Sequence, residues 1–179
     1  VLADVQDDVG QATAASIGDA ARYLHLDVTS DTSWHEVVET VCSAFGGIDV
    51  LVNNAGVWDA GTLEDLTPDA YRRVIEINQV GVFLGMREVS SHMRARGSGS
   101  IVNISSNAGL RVNLPNLAGG KALAYVASKW AVRGMTRSAA LDSCASRTPD
   151  TSASTRPAKA PDGGSSPPAR RRAGAACST

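Results

Sequence analysis

The sequence predicts an α/β fold built on a doubly wound parallel sheet, and three observations lead there. Short apolar runs alternate with helical patterns through residues 1–141. One run, residues 49–53, is apolar without alternation, as a strand covered on both faces requires. The stretches between runs are long enough to carry a helix back over the sheet, and such crossovers are right-handed.

Each element has a local reason. Residues 1–5 form the first strand and residues 7–17 a short helix. Residues 22–27 alternate apolar and polar positions and form the second strand. Ser30 caps a helix that ends near Gly46-Gly47. A serine oxygen takes up a free first-turn N–H, and glycine accepts the left-handed exit. Residues 49–53 follow as a strand. Thr67 begins a long helix with Pro68 at its first position, where a missing N–H costs nothing, and the pattern runs to about Arg96. Residues 100–105 form another strand and residues 124–141 a helix. Repeated strand–helix–strand units give a Rossmann-like, nucleotide-binding type of sheet.

Bulk properties narrow the function. The chain has 179 residues and a net charge of −1, so the whole offers no electrostatic case for nucleic acid or a membrane surface. The balance is uneven: residues 1–141 carry 11 basic and 15 acidic side chains, and residues 142–179 carry 6 and 3. Cys42, Cys144 and Cys177 are odd in number and widely spaced, which suggests neither a disulfide framework nor a metal site. Cys42 falls in an apolar helical pattern and reads as a buried free thiol. With no spanning run and no leader pattern, a cytoplasmic location is the default expectation.

The residues suited to chemistry gather at strand ends and on the last helix. Tyr125 and Lys129 lie one turn apart on one helix face. An ammonium beside a phenol favours phenolate, and a phenol so tuned can exchange a proton with a carbonyl or alcohol oxygen. Asn53-Asn54-Ala55-Gly56 follows a strand directly. Small residues let backbone approach a cofactor, and asparagines can bridge strands. Asn78 lies in an apolar part of the long helix, where asparagine is a poor choice unless it is solvated or has a task. Ser105 and Ser106 end a strand, where open α/β sheets present side chains to ligands. One of these hydroxyls would stabilise charge developing on a substrate oxygen. Asp4 ends the first strand, where a carboxylate accepts hydrogen bonds from ribose hydroxyls and repels a 2′-phosphate. No Arg or Lys follows it before Arg22, so NAD is expected over NADP. A turn or helix-start aspartate is the alternative.

The ordered set Asn53-Asn54-Ala55-Gly56, Asn78, Ser105-Ser106 and Tyr125-x-x-x-Lys129 resembles the short-chain dehydrogenase/reductase family. The resemblance implies Tyr125 as general acid/base, with Lys129 tuning it and holding the nicotinamide ribose. It favours Ser106 over Ser105 as the donor to the substrate oxygen. It gives Asn78 a helix kink and a water that links Lys129 to solvent. Asn53, Ala55 and Gly56 would lie against the cofactor, and Asp27 with Val28 near the adenine, although Asp27 suits a turn or cap equally well. The implied reaction moves hydride between C4 of a nicotinamide and a carbonyl carbon, without a metal. Residues 18–29, 99–110 and 127–141 are also similar to the bacterial 3α(20β)-hydroxysteroid dehydrogenase subgroup. The expected substrate is therefore a small alcohol or ketone, a steroid among the candidates. A sugar, polyol or 3-oxoacyl thioester is the alternative. Full-length family members would form homodimers or homotetramers.

The sequence also departs from that family. Residues 116–121 look like a small insertion in the loop above the site. Family members begin with a strand and a T-G-x-x-x-G-x-G turn that seats the pyrophosphate on a helix N-terminus, and this sequence has none. That strand would lie between residues 1–5 and 49–53, and its loss leaves two rows of backbone groups unpaired. The late strands are missing too. Leu141 is the last large apolar residue, and five of the seven prolines follow it. Residues 142–179 are expected to be a disordered low-complexity tail, either natural or the product of a reading-frame shift near Leu141. The expectation is a partial dinucleotide-binding catalytic domain over residues 1–141, inactive and poorly folded by itself. A non-catalytic truncated polypeptide is the alternative from another class.

Overall fold

The computed structural model describes residues 1–59, 61–111 and 122–145. The chain falls into two units, residues 1–137 and 138–179, and the core and candidate site belong to the first.

The apolar runs form short strands, all paired in parallel. β1 (Leu2–Asp4) pairs with β2 (Tyr23–His25), Leu2 opposite Tyr23. β3 (Val50–Asn53) pairs with β4 (Ser100–Asn103), Val50 opposite Ser100. Helices make the connections. α1 (Asp7–Ile17) joins β1 to β2, with Asp7 and Asp8 in its first turn, where acidic groups favour the helix dipole. α2 (Asp31–Phe45) joins β2 to β3. The Ser30 oxygen accepts from the Ser33 N–H, and Gly46 leaves in the left-handed conformation at φ 79°. Both ends of α2 therefore lie where the sequence places them.

The long helix is unbroken in sequence but not uniform in winding. α3 (Pro68–Ile75) starts at a Thr67 cap, and α4 (Gly81–Arg96) ends at Gly97. Between them the five residues Glu76–Val80 form a π-helical turn. The last helix, α5 (Leu123–Ala145), runs four residues past the expected end at Leu141. The apolar pattern stops at Leu141, but the residues that follow still accept helical backbone. The expected insertion at residues 116–121 and residues 146–179 of the expected tail lie outside the described residues.

One core cluster holds α2 and α4 to the sheets. It contains Leu26, Trp34, Val38, Leu84, Val89 and Met93, with Leu51 and Ile101 packed against it. The Trp34 indole N–H donates to the Val28 carbonyl at 3.0 Å, so the ring is buried without an orphaned donor. Gly85 permits the approach: a Cβ there would lie 2.5 Å from Asn53 Oδ1 and 2.7 Å from the Trp34 ring. Cys42 is a half-buried free thiol whose sulfur is 3.6 Å from His92 Nδ1, and burial pushes the thiol pKa up.

The doubly wound pattern is therefore present, and its sheet is in two halves. Among the described residues no strand joins β1 to β3. Between them lies a cavity of about 850 Å³, lined by Val1 and Ala3 on one wall and Val50 and Val52 on the other. Val50 and Val52 are 57% and 54% exposed, although their sequence reads as an interior strand.

Candidate active site

Four elements converge on the start of α5. β4 leads through Ile104, Ser105 and Ser106 into a single 3-10 turn at Asn107–Gly109. β3 ends in Asn53 and leads into Asn54-Ala55-Gly56. The π-turn brings Asn78 in from the side. α5 supplies Tyr125, Ser128 and Lys129.

Asn78 is completely buried, and all its hydrogen-bonding capacity faces inward. Its Oδ1 accepts from the Val57 N–H at 2.8 Å. Its Nδ2 donates to the Val57 carbonyl at 2.7 Å and to Ser128 Oγ at 3.1 Å. A widened turn aims this side chain at a neighbouring backbone rather than at its own helix. The asparagine that looked out of place in an apolar helix thus clamps the loop after β3.

Lys129 is buried, and its ammonium donates to the Ile104 carbonyl at 2.8 Å. Its nitrogen is 5.6 Å from the centre of the Tyr125 ring. Burial holds the Lys129 pKa below the usual lysine range. A Cβ built on Gly56 would be 3.5 Å from Asn78 Oδ1 and 3.6 Å from Lys129 Nζ. Gly56, Asn78, Tyr125 and Lys129 therefore surround one small volume.

The two serines differ in their bonding. The Ser105 hydroxyl donates to the Lys129 carbonyl at 3.0 Å and ties the strand end to α5. Gly109 makes room beside it, since a Cβ there would lie 2.6 Å from both atoms of that bond. Ser106 Oγ accepts from the Ala108 N–H at 3.2 Å, which leaves its O–H available to donate.

Asn53 is buried and bridges the strands, Nδ2 donating to Asn103 Oδ1 at 2.8 Å. Asn103 Nδ2 in turn donates to Thr136 Oγ1 at 2.9 Å. This ladder links β3, β4 and the helix that carries Tyr125. The remaining expected residues lie apart from the cluster. Asp4 Oδ1 accepts from the Gln6 N–H at 3.0 Å in a turn at the end of β1. Asp27 Oδ1 accepts from the Thr29 N–H and hydroxyl at 2.9 and 2.8 Å, and these bonds lower its pKa. Val28 packs against Gly81 at the head of α4.

Sequence reasoning missed Ser128, Asn103 and Thr136. Ser128 is fully buried and donates to the Tyr125 carbonyl at 2.7 Å while accepting from Asn78. Its signal was its place inside the Tyr-x-x-Ser-Lys spacing. Thr136, seven residues beyond Lys129, shares its helix face, and Asn103 is a polar residue in an apolar strand.

Residues 1–147 match the short chain dehydrogenase family. The chain is 48% identical over 143 residues to the 3-alpha-(or 20-beta)-hydroxysteroid dehydrogenase of Mycobacterium bovis, covering 79% of this chain and 52% of that protein. It is 45% identical over 151 residues to the trans-4-hydroxycyclohexanecarboxylate dehydrogenase of Sinomonas cyclohexanicum, covering 79% and 56%. It is 41% identical over 138 residues to the NADP-dependent (R)-specific alcohol dehydrogenase of Lentilactobacillus kefiri, covering 75% and 52%. The chain thus spans about half the length of these curated relatives.

Proposed function

Because the chain belongs to the short-chain dehydrogenase family, we propose that it carries the proton-handling part of a nicotinamide-dependent alcohol or ketone oxidoreductase. The observation that carries this reading is the gathering of Tyr125, Lys129, Asn78 and Gly56 around one volume. The residues fit the nicotinamide-ribose end of the cofactor. Lys129 has three N–H donors and spends one on Ile104, so two can reach ribose hydroxyls. Gly56 leaves the space that a side chain would fill. When bound, the nicotinamide supplies or accepts the hydride.

The chain's own groups handle the proton and the charge. Tyr125 gives its phenolic proton to the carbonyl oxygen during reduction and takes it back during oxidation. Lys129 holds positive charge beside that phenol. Ser106 donates to the same substrate oxygen as its charge develops, which Ser105 is less free to do. Asn78 holds the floor of the site by fixing Val57 and Ser128. A water between Asn78 and Lys129 would pass the proton to solvent. Asp4 favours NAD over NADP through its carboxylate. The Lentilactobacillus kefiri relative is named as NADP-dependent, and the ratio of kcat/KM for NADH and NADPH tests the preference here. The substrate class is a secondary, cyclic alcohol, with a hydroxysteroid first, in keeping with the names of two of the relatives. No described helix is long and apolar enough to cross a membrane.

The test is a chimera in which residues 1–141 replace the matching segment of the mycobacterial relative. It is assayed for NADH-linked turnover of a 3α-hydroxysteroid, cyclohexanol and a polyol. Turnover should be present, should be highest on the steroid, and should fall on the order of 10²–10⁴-fold in Tyr125→Phe. Undiminished turnover in that variant would sink the mechanism, and a polyol preference would sink the substrate class.

A further inference from the structure

Helix α5 carries Tyr125 and Lys129, so the way it lies against β4 decides where the phenol meets a substrate. Two contacts pin it at Lys129. The Ser105 hydroxyl donates to the Lys129 carbonyl at 3.0 Å, and the Lys129 ammonium donates to the Ile104 carbonyl at 2.8 Å. Both act at one residue, so they make a pivot and leave the helix free to tilt about it. A third contact lies two turns further along, where Asn103 Nδ2 donates to Thr136 Oγ1 at 2.9 Å. The Thr136 hydroxyl spends its own proton on the Val132 carbonyl at 2.7 Å, which leaves its oxygen to accept from Asn103. Thr13 and Thr40 make the same bond to their own helices at exposed positions, whereas Thr136 adds a bond to another element. Asn103 is itself held. Its Oδ1 accepts from Asn53 Nδ2 at 2.8 Å, and its Nδ2 also reaches Met86 Sδ at 3.2 Å. Thr136 therefore leans on a node fixed to β3, β4 and α4.

We propose that Thr136 is a positioning residue: its bond to Asn103 fixes the tilt of α5 about Lys129, and so sets where Tyr125 stands relative to Ser106 and the substrate oxygen. Its effect on turnover rests on the proton-transfer reading above; its effect on tilt rests on geometry alone. The lever arms follow from the helix rise. Thr136 is seven residues from the pivot, about 10.5 Å along the axis, and Tyr125 is four residues to the other side, about 6 Å. A displacement of about 1 Å at Thr136 tilts the helix by about 5° and swings Tyr125 by about 0.6 Å the opposite way. Proton transfer needs its heavy atoms within about 2.6–3.2 Å, so such a swing uses up the whole tolerance. Misplacement by about 1 Å costs on the order of 10²-fold in rate, which puts the loss for this swing near about tenfold.

Two variants separate the hydroxyl from the volume: Thr136→Val keeps the side-chain shape without the hydroxyl, and Thr136→Ser keeps the hydroxyl. In the full 179-residue chain, residual dipolar couplings of the amides of residues 123–137 are measured against those of β3 and β4. Thr136→Val should tilt α5 by about 5°, and Thr136→Ser should leave its orientation in place. In the chimera described above, Thr136→Val should lower kcat about tenfold with KM for cofactor and substrate unchanged, and Thr136→Ser should restore kcat. Asn103→Ala combined with Thr136→Val should lower kcat no further than Asn103→Ala alone, since both cut one bond. A threonine that only stabilises the fold would lower Tm in Thr136→Val and leave tilt and kcat where they were. An unmoved helix, an unchanged kcat or additive losses would overturn the proposal. A parent chimera without turnover, or full turnover in Tyr125→Phe, would instead sink the proton-transfer reading, and the couplings would still decide the role of Thr136.

Discussion

Replacing Asn78 tests the packing logic of the site without relying on turnover. The side chain has no solvent exposure and makes three hydrogen bonds, two of them to one backbone unit, Val57. Asn78→Ala leaves the Val57 N–H and C=O and the Ser128 hydroxyl without that partner. A buried group left unpaired costs about 1–3 kcal/mol, so exchange of the Val57 amide should speed up by about 5- to 150-fold. Asn78→Asp separates the contributions. Its carboxylate still accepts from the Val57 N–H but can no longer donate to the Val57 carbonyl or to Ser128. Val57 should therefore keep most of its protection in Asn78→Asp, while Ser128 and the first turn of α5 loosen. The measurement is residue-resolved hydrogen exchange, with the Leu51 amide as internal reference, because β4 holds that amide independently of Asn78. A general loss of structure would accelerate Leu51 as well. Only a selective change at Val57 counts for the clamp. Exchange at Val57 within about twofold of wild type in Asn78→Ala would refute the reasoning, since such a change is only a few tenths of a kcal/mol.

Three further outcomes follow from the same geometry. In the chimera, Ser106→Ala should lower kcat more than Ser105→Ala, while Ser105→Ala should lower Tm more, because only Ser105 ties the strand end to the Lys129 carbonyl; the reverse order in kcat would reassign the pair. Asp4→Ala should narrow a preference for NADH over NADPH measured as the ratio of kcat/KM values, and equal values in the parent would remove the ribose role from Asp4. His35 Nδ1–H donates to Glu88 Oε1 at 2.8 Å, and that bond raises its pKa. A raised folded-state pKa means the contribution is fully present below the unfolded value of about 6.5 and is lost as pH rises through the folded value. Glu88→Gln should return the His35 titration, followed by NMR, toward about 6.5, and an unmoved titration would assign the shift elsewhere.

Much of this molecule was legible in the residue order alone. Capping is local chemistry, so Ser30, Thr67 with Pro68, and Gly46 marked their helix ends within a residue. The period of apolar residues separated strands from helices, and the spacing of Tyr125 and Lys129 placed them on one helix face whatever the rest of the fold did. Asn78 was noticed because it was out of keeping with its surroundings. Its partners were not legible, since Val57 is 21 residues away and Ser128 is 50. The distinction between Ser105 and Ser106 likewise needed the third dimension: adjacent residues of one type differ only in what the fold brings to each. The same is true of the ladder from Asn53 through Asn103 to Thr136, which joins three elements distant in sequence. The cavity edge of β3 is the clearest case. Residues 49–53 announced an interior strand by composition, yet whether a neighbour occupies each edge depends on other elements arriving there. Local sequence determines which way a backbone can hydrogen-bond; only the tertiary arrangement decides what, if anything, meets it.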